Sequence, residues 1–181
     1  MNRCKVIAPR RFEDERGVFC ETWNKKSLLA AGIDSEFVQD NFSRSREIGS
    51  VRGLHCQGPP HAQAKLIRCA RGRLFDVAVD VRKGSPDFGR WVAEELSFEN
   101  GRQLFIPAGF LHGIITLEPN TEIMYKCSDF YVPDSDISVR FDDPDMTIDW
   151  PINTQNAILS SKDAVAVSWP EFDSPFIYEG D

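Results

Sequence analysis

Long apolar runs are missing from this chain. No stretch of the 181 residues approaches the roughly 20 apolar positions that cross a bilayer, and Met1-Asn2-Arg3-Cys4-Lys5 lacks the apolar segment of a signal peptide. The expectation is a cytoplasmic protein with no membrane partner. Positive charge is also scarce: 21 Lys and Arg stand against 28 Asp and Glu, for a net charge of -7. That balance repels a phosphate backbone, so no nucleic-acid partner is expected, although a local Arg cluster can still hold a small anion. The five cysteines, at 4, 20, 56, 69 and 127, form no CxxC or Cys/His ligand spacing, so reduced thiols are the default. Repeats, low-complexity tracts and Gly/Ser linkers are absent too, which leaves one domain over residues 1–181.

What is present is period-two alternation. Phe75, Val77, Val79 and Val81 alternate with Asp76, Ala78 and Asp80, the pattern of a half-buried strand. Lys65–Ala70 reads the same way, and Arg71-Gly72-Arg73 between the two runs predicts a tight hairpin in a meander. Further strands are expected at Phe37–Asn41, Trp91–Leu96, Gln103–Ile106, Gly113–Leu117 and Glu122–Ser128. Asn100-Gly101 and Glu118-Pro119-Asn120 make connections too short for a crossover helix, so the sheet is expected to be antiparallel. Helix signals are few: Lys25–Ala31 before Gly32, and a short turn near Ser160 or Ser161. The composite is an all-β barrel or jelly roll.

Only three histidines are available for chemistry. His55 ends Val51-Arg52-Gly53-Leu54-His55, where alternation puts Val51, Gly53 and His55 on one face, just before Gly58-Pro59-Pro60. On these residues alone it fits a site rim or an ordinary partly buried histidine. His112 follows Pro107-Ala108-Gly109-Phe110-Leu111 and reads equally as structural or functional, while His61 beside two prolines reads as an exposed loop residue. No HxH pair exists, yet a metal site assembled in space from His55, His112 and a carboxylate stays open. Phosphate-binding glycine loops are missing, so any nucleotide is held by side chains, with Arg16, Arg52 and Lys65 as available donors.

Several segments in order resemble one family. They are Phe12-Glu13-Asp14-Glu15-Arg16-Gly17-Val18-Phe19, Gln39-Asp40-Asn41-Phe42-Ser43, Arg52-Gly53-Leu54-His55, Gln63-Ala64-Lys65-Leu66, Phe75-Asp76-Val77-Ala78-Val79-Asp80, Pro107-Ala108-Gly109-Phe110-Leu111-His112-Gly113 and Leu159-Ser160-Ser161-Lys162-Asp163. Together they resemble the dTDP-4-dehydrorhamnose 3,5-epimerases over nearly the whole chain. The resemblance implies a cupin-like β jelly roll of antiparallel strands, a homodimer, no metal or other cofactor, and a dTDP-linked 4-keto-6-deoxy sugar as substrate. It also implies roles: His55 as base, Asp163 orienting it, Tyr125 as general acid, and Lys65 beside the C4 ketone, with His112 adding a hydrogen bond. For the nucleotide end it points to Arg16, Glu21, Gln39, Asn41, Arg52, Tyr131 and Lys162, with Arg16 and Glu21 reaching a partner's site. Three places depart from the family pattern: Cys56 stands where tyrosine is usual, Asp136 where glutamate is common, and Gly113-Ile114-Ile115-Thr116 lacks the more usual aromatic after the His-Gly pair. The rival readings are an epimerase inverting C3 alone or acting on another nucleotide sugar, a metal-dependent cupin enzyme, and a sugar-binding module without catalysis.

Overall fold

The computed structural model describes residues 4–180. Twelve strands and one α-helix follow in order: β1 Lys5–Ile7, β2 Arg11–Asp14, β3 Gly17–Cys20, α1 Lys25–Ala30, β4 Gln39–Ser45, β5 Val51–Gln57, β6 Lys65–Arg71, β7 Arg73–Asp80, β8 Trp91–Ser97, β9 Gln103–Ile106, β10 Phe110–Thr116, β11 Thr121–Cys127 and β12 Asp136–Ser138. They build two five-stranded sheets, ordered β1-β9-β6-β11-β4 and β12-β5-β10-β7-β8, plus the separate hairpin β2-β3. Every strand pairing in these sheets is antiparallel. The fold is the expected cupin-like jelly roll, with α1 capped by Asn24, whose side chain accepts from the amides of Lys26 and Ser27.

The meander expected at Arg71-Gly72-Arg73 is not there. β6 pairs with β9 and β11, whereas β7 pairs with β8 and β10, so Gly72 turns a corner between sheets instead of closing a hairpin. The same holds at Asn100-Gly101, between β8 and β9, and at Glu118-Pro119-Asn120, between β10 and β11. A short glycine turn reverses the chain in either case, and only distant pairing decides which sheet receives the next strand.

β7 also departs from the half-buried expectation, because Asp76, Ala78 and Asp80 are as buried as Val77, Val79 and Val81. Val77, Val79 and Val81 lie in a core with Leu54, Ile115, Val139, Phe141, Met146, Trp150 and Phe176, supplied largely by the chain beyond β12. Ala78 belongs to a second core between the sheets, with Ile67, Leu104, Ile114, Ile123 and the partly buried Tyr125. Each fully buried aliphatic side chain contributes about 1.5–3 kcal/mol, so covering both faces of one sheet adds much to stability. It also puts the carboxylates of Asp76 and Asp80 inside the protein, where each needs a partner. Asp80 has one in Arg82, with Nη2–Oδ2 at 2.5 Å and Nε–Oδ1 at 2.9 Å.

Candidate active site

The site lies between the sheets and its floor follows from register. On the first sheet, Cys127 of β11 faces Gln39 of β4 and Lys65 of β6, and Tyr125 faces Asn41 and Ile67. Residues two apart share a face, so Gln39, Asn41, Lys65, Tyr125 and Cys127 form one patch. All five line a cavity of about 390 Å³ together with His55, Cys56, Gln57, Gln63, Tyr131, Asp136 and Lys162.

On the second sheet a bulge aims His55 inward. Val51 and Arg52 pair with Ile115 and Ile114, but His55 pairs with His112, so Gly53 and Leu54 stand opposite the single residue Gly113. The extra residue breaks the expected alternation. Val51 packs with Leu54 on the outer core, and His55 shares the inner face with His112 and Ile114. Gly53 makes this possible: its φ is +130°, and a Cβ there would sit 2.5 Å from the Gly113 Cα.

His55 Nε2 lies 2.5 Å from Oδ1 of Asp163, whose side chain is 4% exposed in a 3-10 turn at Asp163–Val165. Ser160 donates its hydroxyl to the other Asp163 oxygen at 2.8 Å. Burial alone would raise the Asp163 carboxyl, but the hydrogen bonds from His55 and Ser160 and the charges of His55 and Lys162 outweigh it and hold the group below the usual range. Desolvation pushes the Lys65 ammonium in the opposite sense, to a lowered pKa, against the support of Cys127, Cys56, Asp136 and Asp76. Tyr125 is raised by burial and by Cys127, with Arg52 pulling the other way, so it keeps its proton at neutral pH. The Cys56 thiol is pushed up to about 12, mainly by burial, and is a neutral wall of the cavity.

Other expected residues sit around this centre. His112 is not among the residues lining the cavity, and its Nε2 lies 2.9 Å from Oδ1 of the fully buried Asp76. Arg52 hydrogen-bonds Ser45 Oγ and the Arg44 carbonyl, outside the cavity wall but close enough to lower the Tyr125 phenol. At the mouth, Asp136 Oδ2 accepts from Tyr131 Oη at 3.2 Å and pairs with the Lys162 ammonium. Arg16 and Glu21 are not brought to this cavity within the chain. Arg16 is bound to Asp14 at the tip of the β2–β3 hairpin, and Glu21 lines a different groove with Phe12, Phe19 and Trp23. The hairpin that carries Arg16 at its tip and runs into Glu21 pairs with no other described strand, so it does not turn them toward β5 or β11.

Five lining residues escaped the sequence reading as site members: Gln57, Gln63 and Cys127, and also Cys56 and Asp136, which it noted only as departures from the family pattern. Period two carries Tyr125 to Cys127 and Lys65 back to Gln63, and that spacing was the available signal. Among the described residues no cluster of three or more His, Cys, Asp or Glu is arranged to hold a metal ion. No described helix is long and apolar enough to cross a membrane.

A jelly roll with an imidazole–carboxylate pair, a phenol and an ammonium around one cavity defines an acid–base enzyme of the cupin-like class. The family model for dTDP-4-dehydrorhamnose 3,5-epimerase matches residues 1–171, and the chain belongs to that family. It is 50% identical over 174 residues to the dTDP-4-dehydrorhamnose 3,5-epimerase of Sinorhizobium fredii, covering 96% of this chain and 89% of that one. Among solved structures, the Legionella pneumophila dTDP-6-deoxy-D-glucose-3,5-epimerase in complex with dTDP-4-keto-L-rhamnose superposes with a TM-score of 0.94 at 44% identity, covering 99% and 96% of the two chains. The Bacillus anthracis dTDP-4-dehydrorhamnose 3,5-epimerase with TDP and pyrophosphate bound gives 0.88 at 46% identity, covering 91% and 93%.

Proposed function

We propose that the protein inverts C3 and C5 of a dTDP-linked 4-keto-6-deoxy sugar by proton removal and return through an enolate. The observation that carries this reading is the shared cavity of His55 and Tyr125, which come from opposite sheets. A base and an acid on two walls address the two faces of a sugar ring lying between them. Asp163 keeps one imidazole nitrogen occupied, and the other takes the proton from the carbon beside the ketone. As that C–H bond breaks, charge moves to the C4 oxygen, where the Lys65 ammonium and a hydrogen bond from His112 stabilise it. Tyr125 then delivers its phenolic proton to the same carbon from the other face. Solvent exchange resets His55 and Tyr125 for the second carbon.

Gln39 and Asn41 supply amide groups for the edge of a thymine, Tyr131 a ring for stacking, and Arg52 and Lys162 cations for the diphosphate. Arg16 and Glu21 serve the site of a second copy in a homodimer. Supporting this, Phe12 and Phe19 on their hairpin are 48% and 68% exposed, apolar surface suited to cover by another chain. A cytoplasmic location fits five cysteines that are all free thiols.

The test is deuterium wash-in from D2O with dTDP-4-keto-6-deoxyglucose. Label at both C3 and C5 is expected, and label at C3 alone would reassign the enzyme to single inversion. No label at either carbon overturns the reading. With Tyr125→Phe, label should still enter through His55 while the configuration is retained, because the base can return a solvent deuteron only to the face it attacked.

A further inference from the structure

We propose that Gln57 is a positioning residue, whose buried carboxamide sets the backbone on both sides of Tyr131 and so fixes the ring at the nucleotide end of the cavity. The inference rests on the nucleotide-sugar reading above and deepens it. Gln57 closes β5 two residues after His55 and is 3% exposed. Its Oε1 accepts the Val132 amide at 2.7 Å, while Nε2 donates to the carbonyls of Phe130 at 3.1 Å and His61 at 2.7 Å. Both amide hydrogens and the oxygen are thereby used. The Phe130 carbonyl and the Val132 amide flank Tyr131, so one side chain does what a neighbouring strand would do for that residue.

The hold is reinforced from either side. The Tyr131 amide donates to Gln39 Oε1 at 3.0 Å, and Gln63 Nε2 donates to the Asp129 carbonyl at 2.7 Å. Residues 129–132 belong to no strand or helix, and three glutamine side chains carry their backbone instead. This matters because the Tyr131 side chain has little packing of its own: the residue is 56% exposed and its far end meets Asp136. An aromatic platform held this way is placed by its backbone, and preorganising it spares the ligand the cost of ordering it. Gln57 is fitted for the task in a way Glu is not, since a carboxylate would set an acceptor against two carbonyl oxygens. The effect falls on binding and not on proton transfer, because the clamp acts on the nucleotide end and leaves His55, Lys65 and Tyr125 in place.

The experiment compares wild type, Gln57→Leu, Gln57→Glu, Tyr131→Ala and the Gln57→Leu/Tyr131→Ala double variant. Affinity for dTDP is read by calorimetry, turnover at saturating sugar nucleotide by NMR, and amide hydrogen exchange in the free protein. Each Gln57 variant should bind dTDP about tenfold more weakly, the scale of one or two lost hydrogen bonds. Turnover should stay within about twofold, and adding Gln57→Leu to Tyr131→Ala should change affinity by no more than about twofold. The Val132 amide should be protected in the wild type and exchange faster in both Gln57 variants. Unchanged affinity overturns the proposal, as does equal weakening with Tyr131 already removed, or a loss confined to turnover. If Gln57→Leu does not fold, Gln57→Glu carries the comparison. If neither folds, an unprotected Val132 amide in the wild type is the overturning result. Wild-type protein that fails to bind dTDP at all sinks the nucleotide reading, while hydrogen exchange still judges the clamp.

Discussion

His55 Nε2 and Asp163 Oδ1 meet at 2.5 Å although 108 residues separate them in the chain. β5 delivers the imidazole, and a 3-10 turn in the covering C-terminal segment delivers the carboxylate. In the proposed mechanism this contact fixes the tautomer and stabilises the imidazolium formed when His55 takes a proton. Asp163→Asn keeps the shape and removes the charge. Deuterium wash-in should fall by on the order of 10²–10⁴, the range of general acid–base contributions, with dTDP affinity nearly unchanged. Wild-type exchange in this variant would remove Asp163 from the mechanism.

Lys65 and Tyr125 have pKa values displaced toward each other. Burial lowers the ammonium from an ordinary value of 10.5 and raises the phenol from 10.0. Both displacements favour Lys65 as the group that gives up its proton first on an alkaline titration. The basic limb of kcat/KM should belong to Lys65, lie below the ordinary lysine value, and persist in the residual activity of Tyr125→Phe. Lys65→Met should abolish that limb and lower kcat by about 10²–10³, as loss of an oxyanion donor does elsewhere. A basic limb that disappears with the phenol would reverse the assignment.

The strand pattern was legible because alternation is local. Gln103–Ile106 was recovered to the residue, and the run from Lys65 needed one more position. Sheet membership was not legible, since Gly72 and Gly101 serve a hairpin or a corner equally well and pairing is settled by residues far away. The inward turn of His55 depended on a bulge whose cause, Gly53 against Gly113, involves two strands. For the site, Tyr125 and the place of Lys65 beside the ketone came through family resemblance, because no spacing within one segment reveals that β6 and β11 adjoin. The glutamines around Tyr131 carry no motif at all: their role exists only in the backbone groups they reach.

Asp80 and Arg82 form a buried pair whose removal should show in stability, not activity. Burial would raise the Asp80 carboxyl, but hydrogen bonds from Arg82 and Ser85 and the Arg82 charge lower it overall. A carboxylate lowered in the folded state contributes its stability above its unfolded pKa, about 3.9, and loses it as pH falls through the folded value. Wild-type stability should hence be flat in this group from pH 7 to 5. Arg82→Ala leaves the charge buried without its main partner and should cost about 3–5 kcal/mol at pH 7 by urea unfolding. Loss of the guanidinium removes the largest support of the Asp80 carboxylate, so its pKa rises from the wild-type level and the penalty should shrink as pH falls. A penalty independent of pH would locate the loss in the contacts of Arg82 with the Phe110 and Tyr178 rings instead.

Arg16 offers a test of shared sites. Its side chain is 86% exposed at the tip of the β2–β3 hairpin, away from the cavity of its own chain. If a second copy receives it, Arg16→Ala and His55→Asn damage different halves of each composite site. Unfolding and refolding an equal mixture of the two inactive variants forms hybrids. In a hybrid, one site combines the intact His55 of the first chain with the intact Arg16 of the second, so activity should recover to about a quarter of wild type by random pairing of symmetric dimers. Were Arg16 to act within its own chain, every site in every hybrid would carry one defect and mixing would restore nothing. Light scattering on the same sample checks the assembly: a dimer mass with no recovery places Arg16 outside the partner's site, and a monomer mass removes the shared-site arrangement altogether.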